Sequence, residues 1–272
     1  MKRLITGLVI IIFFSAFAVN DTGIYKDVEH NSFAKGELLQ FKVTFGIFTV
    51  GKGQMKIHNT SYKINNRNCL RVDVQGKTTG AVSWVAKVDD NWGAYIDSAA
   101  LVPHISYRKI KENKYRKDEL IKFDHATDMI EAKVADKKTG LYKEPEYYKA
   151  PDNIFDMIGG YMYLRTIDFN KHNIGDTLTI DAFFEDTVYD FRIMYQGKEV
   201  VNTKIGKMNA IKLVPIMPDN KLFDGENSIS VWFSDDENRI PLRIEADMFI
   251  GTAGIYIIHQ EGLLHELNYY KK

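Results

Sequence analysis

Cysteine is almost missing from this chain of 272 residues, and with Cys69 alone no intramolecular disulfide can form. A chain of this length can bury a core large enough to do without covalent staples. An excess of charge is missing too. The 36 basic and 36 acidic residues cancel, which removes any long-range attraction for nucleic acid or anionic lipid. After the first residues there is no apolar run of spanning length, so no membrane span is expected in the mature protein. The common catalytic signatures are also lacking. There is no Gly-x-Ser-x-Gly elbow, no His-Glu-x-x-His, no Cys-x-x-Cys and no phosphate-cradling glycine loop before a helix, and no cofactor is assigned.

What is present begins with a leader. Lys2 and Arg3, the apolar run from Leu4 to Phe14 and the small-x-small triplet Ala16-Phe17-Ala18 form a signal-peptide pattern with cleavage after Ala18. This predicts a periplasmic or secreted protein. Losing Lys2 and Arg3 leaves a formal charge of −2. Residues 19–35 are polar and without pattern, and read as a mobile lead-in. Residues 36–272 read as one β-rich domain.

That domain is strand after strand. Leu39, Phe41, Val43 and Phe45 alternate with other residues, and the run resumes after Gly46 through Gly51 and Gly53, glycines that suggest a bulge or a close backbone approach. Arms follow at Cys69–Thr79, Val82–Ile96, His104–Lys111, Tyr115–Asp124 and Met129–Ala135. In the second half they continue from Thr177 onward, with Gly197-Lys198 and Gly206-Lys207 as tight turns. Cys69, in such a run, reads as a buried small hydrophobe. The clearest hairpin is Ser228–Gly251: Ile229, Val231 and Phe233 on one arm, Leu242, Ile244, Ala246 and Met248 on the other. The one exception is central, where Ile154, Met157, Ile158, Tyr161, Met162 and Arg165 recur at helical spacing. It predicts an amphipathic helix over about 152–166, capped by Asp152, with Arg165 in the last turn. The fold class expected is mainly β: an antiparallel barrel, half-barrel or two-sheet sandwich with one central helix.

Candidate sites are few. His259 and His265 lie six apart, which fits neither one helix face nor an established ligand spacing, so no metal is assigned. The acidic tip of the hairpin, Asp235, Asp236 and Glu237, could divide acid and base roles. The expected role is instead a brace formed by Asp235, Asp236, Arg239, Pro241 and Arg243, with an arginine pairing an acid. Aromatic side chains near the helix suit a concave apolar site, and the ligand-contacting candidates are Trp232, Tyr161, Met162, Arg165 and Trp84.

In order along the chain, Gly36-Glu37-Leu38, Gly46 to Gly51, Asp97 to Pro103, Asp156 to Arg165, and Val231-Trp232-Phe233-Ser234-Asp235-Asp236 followed by Arg239 and Pro241-Leu242-Arg243 resemble the bacterial envelope family called domain of unknown function 3108. The resemblance spans most of the mature chain. It implies a signal-peptide-bearing, mostly β protein of Gram-negative bacteria and no established activity. The functional expectation is a non-catalytic envelope protein that binds a hydrophobic or amphipathic molecule of the lipid or glycolipid class. The alternatives are an interaction protein of an envelope complex, and a hydrolase using Asp235 or Asp236.

Overall fold

The computed structural model describes residues 24–216 and 227–271, so the leader at 1–18 lies outside the described residues. Fifteen strands form a single antiparallel sheet: β1 Leu38–Phe45, β2 Phe48–Ile57, β3 Tyr62–Ile64, β4 Arg67–Thr78, β5 Asp89–Asp97, β6 Pro103–Glu112, β7 Tyr115–Asp124, β8 Met129–Val134, β9 Glu146–Lys149, β10 Thr177–Phe184, β11 Thr187–Thr203, β12 Gly206–Ile216, β13 Ile229–Ser234, β14 Pro241–Met248 and β15 Gly251–Glu261. Two short helices, α1 Val82–Val85 and α2 Met157–Leu164, interrupt them. The pairing order is β10-β11-β12-β13-β14-β15-β1-β2-β4-β5-β6-β7-β8-β9, with β3 attached to β4. β15 pairs with both β14 and β1, so the last arm of the chain joins its two halves. One sheet rules out the sandwich.

The end strands β9 and β10 share no ladder, yet the sheet curls until they meet through side chains. Phe183 of β10 packs on Tyr148 of β9 with ring centroids 5.2 Å apart and on Phe123 of β7 at 6.4 Å. The segment before α2 fills the remaining gap. Phe155 makes a parallel bridge to Ala182, its N–H donating to the Asp181 carbonyl and its carbonyl accepting from Phe183. The ladder stays open while the shape is barrel-like.

That bridge also explains why the helix is shorter than its periodicity suggests. Ile154 and Phe155 are extended, so the helix begins at Met157 and its N-cap is Asp156, whose carboxylate accepts from the Gly159 N–H at 2.7 Å. Asp152 caps nothing. Other corrections have equally local causes. Gly197 is a bulge inside the long β11, where the register shifts and φ is +97°, instead of a turn. The first part of the Val82–Ile96 arm, with Trp84, is α1. Residues 24–35 have no regular structure but are packed: Val28 donates to the Ala99 carbonyl, and Ser32 and Phe33 are buried.

The anchor of this packing is Arg165, at the end of α2 and wholly buried. Its guanidinium meets both oxygens of the buried Glu37 carboxylate at 2.6 and 2.8 Å, the Asn238 carbonyl at 2.8 and 3.1 Å and the Ser32 carbonyl at 3.1 Å. Burial opposes the charge, but Tyr161 and Glu37 outweigh it and raise the Arg165 pKa above its ordinary value. A bidentate pair backed by two backbone carbonyls is the arrangement in which a buried charge is tolerable. Replacing Arg165 with Met should cost roughly 3–5 kcal/mol, because Glu37 is then buried without its partner. Urea denaturation checks this. The double variant Glu37→Leu/Arg165→Met should cost clearly less than the sum of the singles, and strict additivity would contradict the assignment.

Asp156 supplies a second test. Burial pushes its pKa up to about 6 against hydrogen bonds from the Gly159 and Ile158 amides that pull it down. A carboxyl whose folded pKa is raised stabilises the fold while protonated, so its contribution is lost as pH rises from about 4 to about 6. Asp156→Asn keeps a good cap without the charge. Relative to wild type the variant should gain roughly 2–3 kcal/mol between pH 4 and pH 7. Denaturant midpoints across that range measure the difference, and parallel curves would show that Asp156 is not the titrating group. The comparison cancels the slope from His30 and His125, whose pKa values burial lowers.

Candidate functional site

An apolar groove lies between α2 and the inner face of the sheet. Strand register explains its lining. Leu39, Met55, Val74 and Trp92 form one cross-strand row, and Phe41, Gly53, Gly76 and Asp90 the next. In the second row two adjacent strands present no side chain, and the missing atoms leave a trough. On the other flank Val43, Ile255, Ile244 and Val231 are in register across β1, β15, β14 and β13. Met157, Ile158 and Tyr161 of α2 and Pro241 of β14 complete the wall. The groove holds about 400 Å³, within the roughly 300–1,000 Å³ usual for small-molecule sites.

One polar group sits at its margin, Asp90, which accepts from the Lys111 N–H at 2.8 Å; Gln54 and Gln75 alternate with the inner rows and bond to each other on the opposite face at 2.9 Å. The Tyr161 ring stacks on Phe233, centroids 5.9 Å apart. Its hydroxyl is buried near Arg165, and burial raises its pKa beyond the ordinary tyrosine value. Such a site offers contact area to an apolar chain and little chemistry to a reacting bond.

Of the five ligand-contacting candidates only Tyr161 lines the groove. Met162 is buried in the core behind it and Arg165 is the ion-pair anchor. Trp232 points the opposite way from Val231, Ile244 and Ile255. It belongs to a row on the face away from the groove, Lys212, Trp232, Arg243, Tyr256 and Lys42, in register across five strands, and is itself buried within the main core. Within that row Lys212 and Arg243 lie over the indole at 5.1 and 4.5 Å, and Lys42 over Tyr256 at 5.3 Å; the indole N–H also donates to Glu199. Trp84 is exposed on α1, beyond the groove. The residues that reading the sequence overlooked are Phe41, Met55, Val74 and Trp92, together with Gly76. The visible signal was the Gly51-x-Gly53 spacing.

At the acidic tip the bonds differ from the expected arginine pair. Asp236 accepts from the Ser234 hydroxyl, from the Asn238 and Arg239 amides and, through its other oxygen, from the Asn268 amide. Arg239 donates to the Arg165 carbonyl and to Ser32, Arg243 pairs with Glu245, and Asp235 pairs with Lys198 at 2.9 Å. One oxygen of Asp236 is thus occupied by the turn and the other by the C-terminal segment. Pro241 lies in β14 and touches the groove.

Two other polar clusters are architectural. Asp97 holds Arg67 and the amides of Ala99 and Ala100, fixing the β5–β6 corner, and these bonds with His104 keep its pKa well below the usual range in spite of burial. Asp73 joins His58, Arg71 and Tyr107 on the outer face. Cys69 is buried and free, its thiol pushed up to about 11 by burial. Among the described residues no group of three or more His, Cys, Asp or Glu is placed to hold a metal ion. Among the same residues no helix is long and apolar enough to cross a membrane.

Known proteins can be compared with this geometry. No curated protein matches the chain. Among solved structures, the β-barrel-like protein of domain of unknown function DUF1849 from Brucella abortus aligns with a TM-score of 0.54 at 9% identity, over 85% of this chain and 99% of that one. This likeness concerns the fold alone. The hypothetical protein CT021 from Chlamydia trachomatis aligns at 0.39 and 9% identity, over 88% and 93%. The pattern of the family described as "Protein of unknown function (DUF3108)" matches residues 40–258, from within β1 to within β15, and the chain therefore belongs to that family.

Proposed function

We propose that this protein is a non-catalytic binding protein of the cell envelope that holds one apolar chain of an amphipathic molecule in the groove beneath α2. The observation that carries the reading is the trough over Gly53 and Gly76. Its walls are almost wholly apolar, and its polar group, Asp90, stands at the margin. Burying apolar ligand surface there yields about 25 cal/mol per Å² removed from water, before the costs of association. A groove of about 400 Å³ takes one acyl chain, with a headgroup left near Asp90. The leader pattern of Lys2, Arg3 and the apolar run after them supports a place outside the cytoplasm. A lipid or glycolipid is the ligand class; the protein supplies shape and dryness, with no reaction.

The glycine floor gives a clean test. A Cβ at Gly76 meets nothing within 4 Å, and its backbone is not in the left-handed region, so a larger residue fits without strain. Gly76→Leu should fill the trough, leave the denaturation midpoint within about 1 kcal/mol of wild type and weaken binding of a fluorescent long-chain fatty acid by about tenfold or more. Native mass spectrometry of wild type should show a retained lipid that Gly76→Leu lacks. Equal fatty-acid binding by both proteins would rule the groove out as the site.

A further inference from the structure

Three connections that neighbour one another along one rim of the sheet hold large apolar side chains in water. Ile47 and Phe48 cap β1–β2, Trp84 and Val85 lie on α1 between β4 and β5, and Phe249 and Ile250 belong to the β14–β15 connection; each is 64–92% exposed. Backbone hydrogen bonds tie the three together. The Gly46 amide donates to the Thr252 carbonyl at 2.9 Å, and the Thr79 amide to the Val50 carbonyl at 3.0 Å. Residues 45–51, 78–86 and 248–251 contain no charge. Single exposed apolar residues are ordinary, but six on three adjoining tips without an intervening charge form a patch that needs a partner.

The chemistry at the border selects the partner. Lys42, Lys52 and Lys77 stand opposite one another across β1, β2 and β4, and Asp89 ends that row. Lys87 follows α1, and the adjoining β6–β7 turn carries Lys114, Tyr115 and Arg116. Tryptophan and phenylalanine at protruding tips, with lysines set just behind them, are the composition of an interfacial anchor. The lysines attract anionic headgroups over a Debye length, so a neutral net charge does not weaken this local effect. The strands that line the groove run on into the same tips.

We infer that this rim docks on an anionic lipid surface, with Ile47, Phe48, Trp84, Val85, Phe249 and Ile250 entering the interfacial layer and the lysines meeting headgroup phosphates. The inference rests on the tips and stands or falls apart from the groove. Flotation with vesicles of phosphatidylethanolamine and phosphatidylglycerol tests it. The wild type should float, and pure phosphatidylcholine or high salt should weaken the association by about tenfold. Trp84 emission should shift to the blue and be quenched by brominated lipid. The triple variant Ile47→Asp/Trp84→Ser/Phe249→Asp changes only exposed side chains; it should keep the wild-type near-ultraviolet circular dichroism from buried aromatic residues and lose vesicle binding by at least about tenfold. Gly76→Leu, with its groove filled, should float like wild type.

Four results would overturn the inference, two of them given by variants. One is wild-type protein that stays unbound with both vesicle types. Two more are a triple variant that floats as well as wild type and a Gly76→Leu variant that fails to float. The fourth is concentration-dependent self-association abolished by the triple variant in a protein that ignores vesicles, which would assign the rim to a second copy of the chain.

Discussion

The Arg165–Glu37 pair is the constraint on which the rest of the molecule depends. A guanidinium removed from water is acceptable only when it is paired and hydrogen-bonded, and here its bonds reach three parts of the chain far apart in sequence. Glu37 stands at the entrance to β1, Ser32 in the lead-in and Asn238 in the β13–β14 turn. Asn238 is itself buried and extends the network, its side chain bonding to the His265 backbone in the returning C-terminal segment. If α2 were displaced, several groups would lose their partners together. The helix has one place to sit, and that place sets the wall of the groove.

The same geometry accounts for the groove. A barrel-like sheet with large residues at every inward position would pack solid against α2. Here Gly53 and Gly76 lie side by side on the inner face, and the helix meets Phe41, Met55 and Trp92 around a gap that nothing fills. The helix cannot sink into the trough, because Arg165 holds its C-terminal end and the Phe155 bridge to β10 holds the segment before it. Cavities in well-packed interiors are costly. This one is held open by an ion pair at one end and a backbone bridge at the other, so its shape is set by the fold itself.

Much of this was legible in local pattern. The alternation in Leu39 to Phe45 and the hairpin Ser228–Gly251 gave strands because period-two burial is a property of neighbours in sequence. Arg165 was legible only as a cation at a helix end; its partner Glu37 is 128 residues away, and no local signal carries that distance. Trp232 reads as a ligand contact because it is large and aromatic. Its contacts depend on register, and register puts it in the row of Lys212, Arg243 and Tyr256, on the face away from the groove. Gly197 shows the same limit: a glycine with positive φ serves a turn or a bulge equally well, and the pairing of β11 with β12 decides between them.

The two faces of the sheet then divide their work. The outer row alternates cations with aromatic rings across five strands, which satisfies large side chains locally and ties neighbouring strands together. The inner face keeps its apolar side chains for α2 and the groove. At the rim where both faces end, neither arrangement covers Ile47, Trp84 or Phe249, although the β1–β2 turn is bonded to the connections on either side of it. A chain able to bury an arginine against a bidentate partner leaves six apolar side chains in water at that one place. Folding alone does not account for that exposure, and the lysines behind the tips favour a surface of opposite charge as what would cover them.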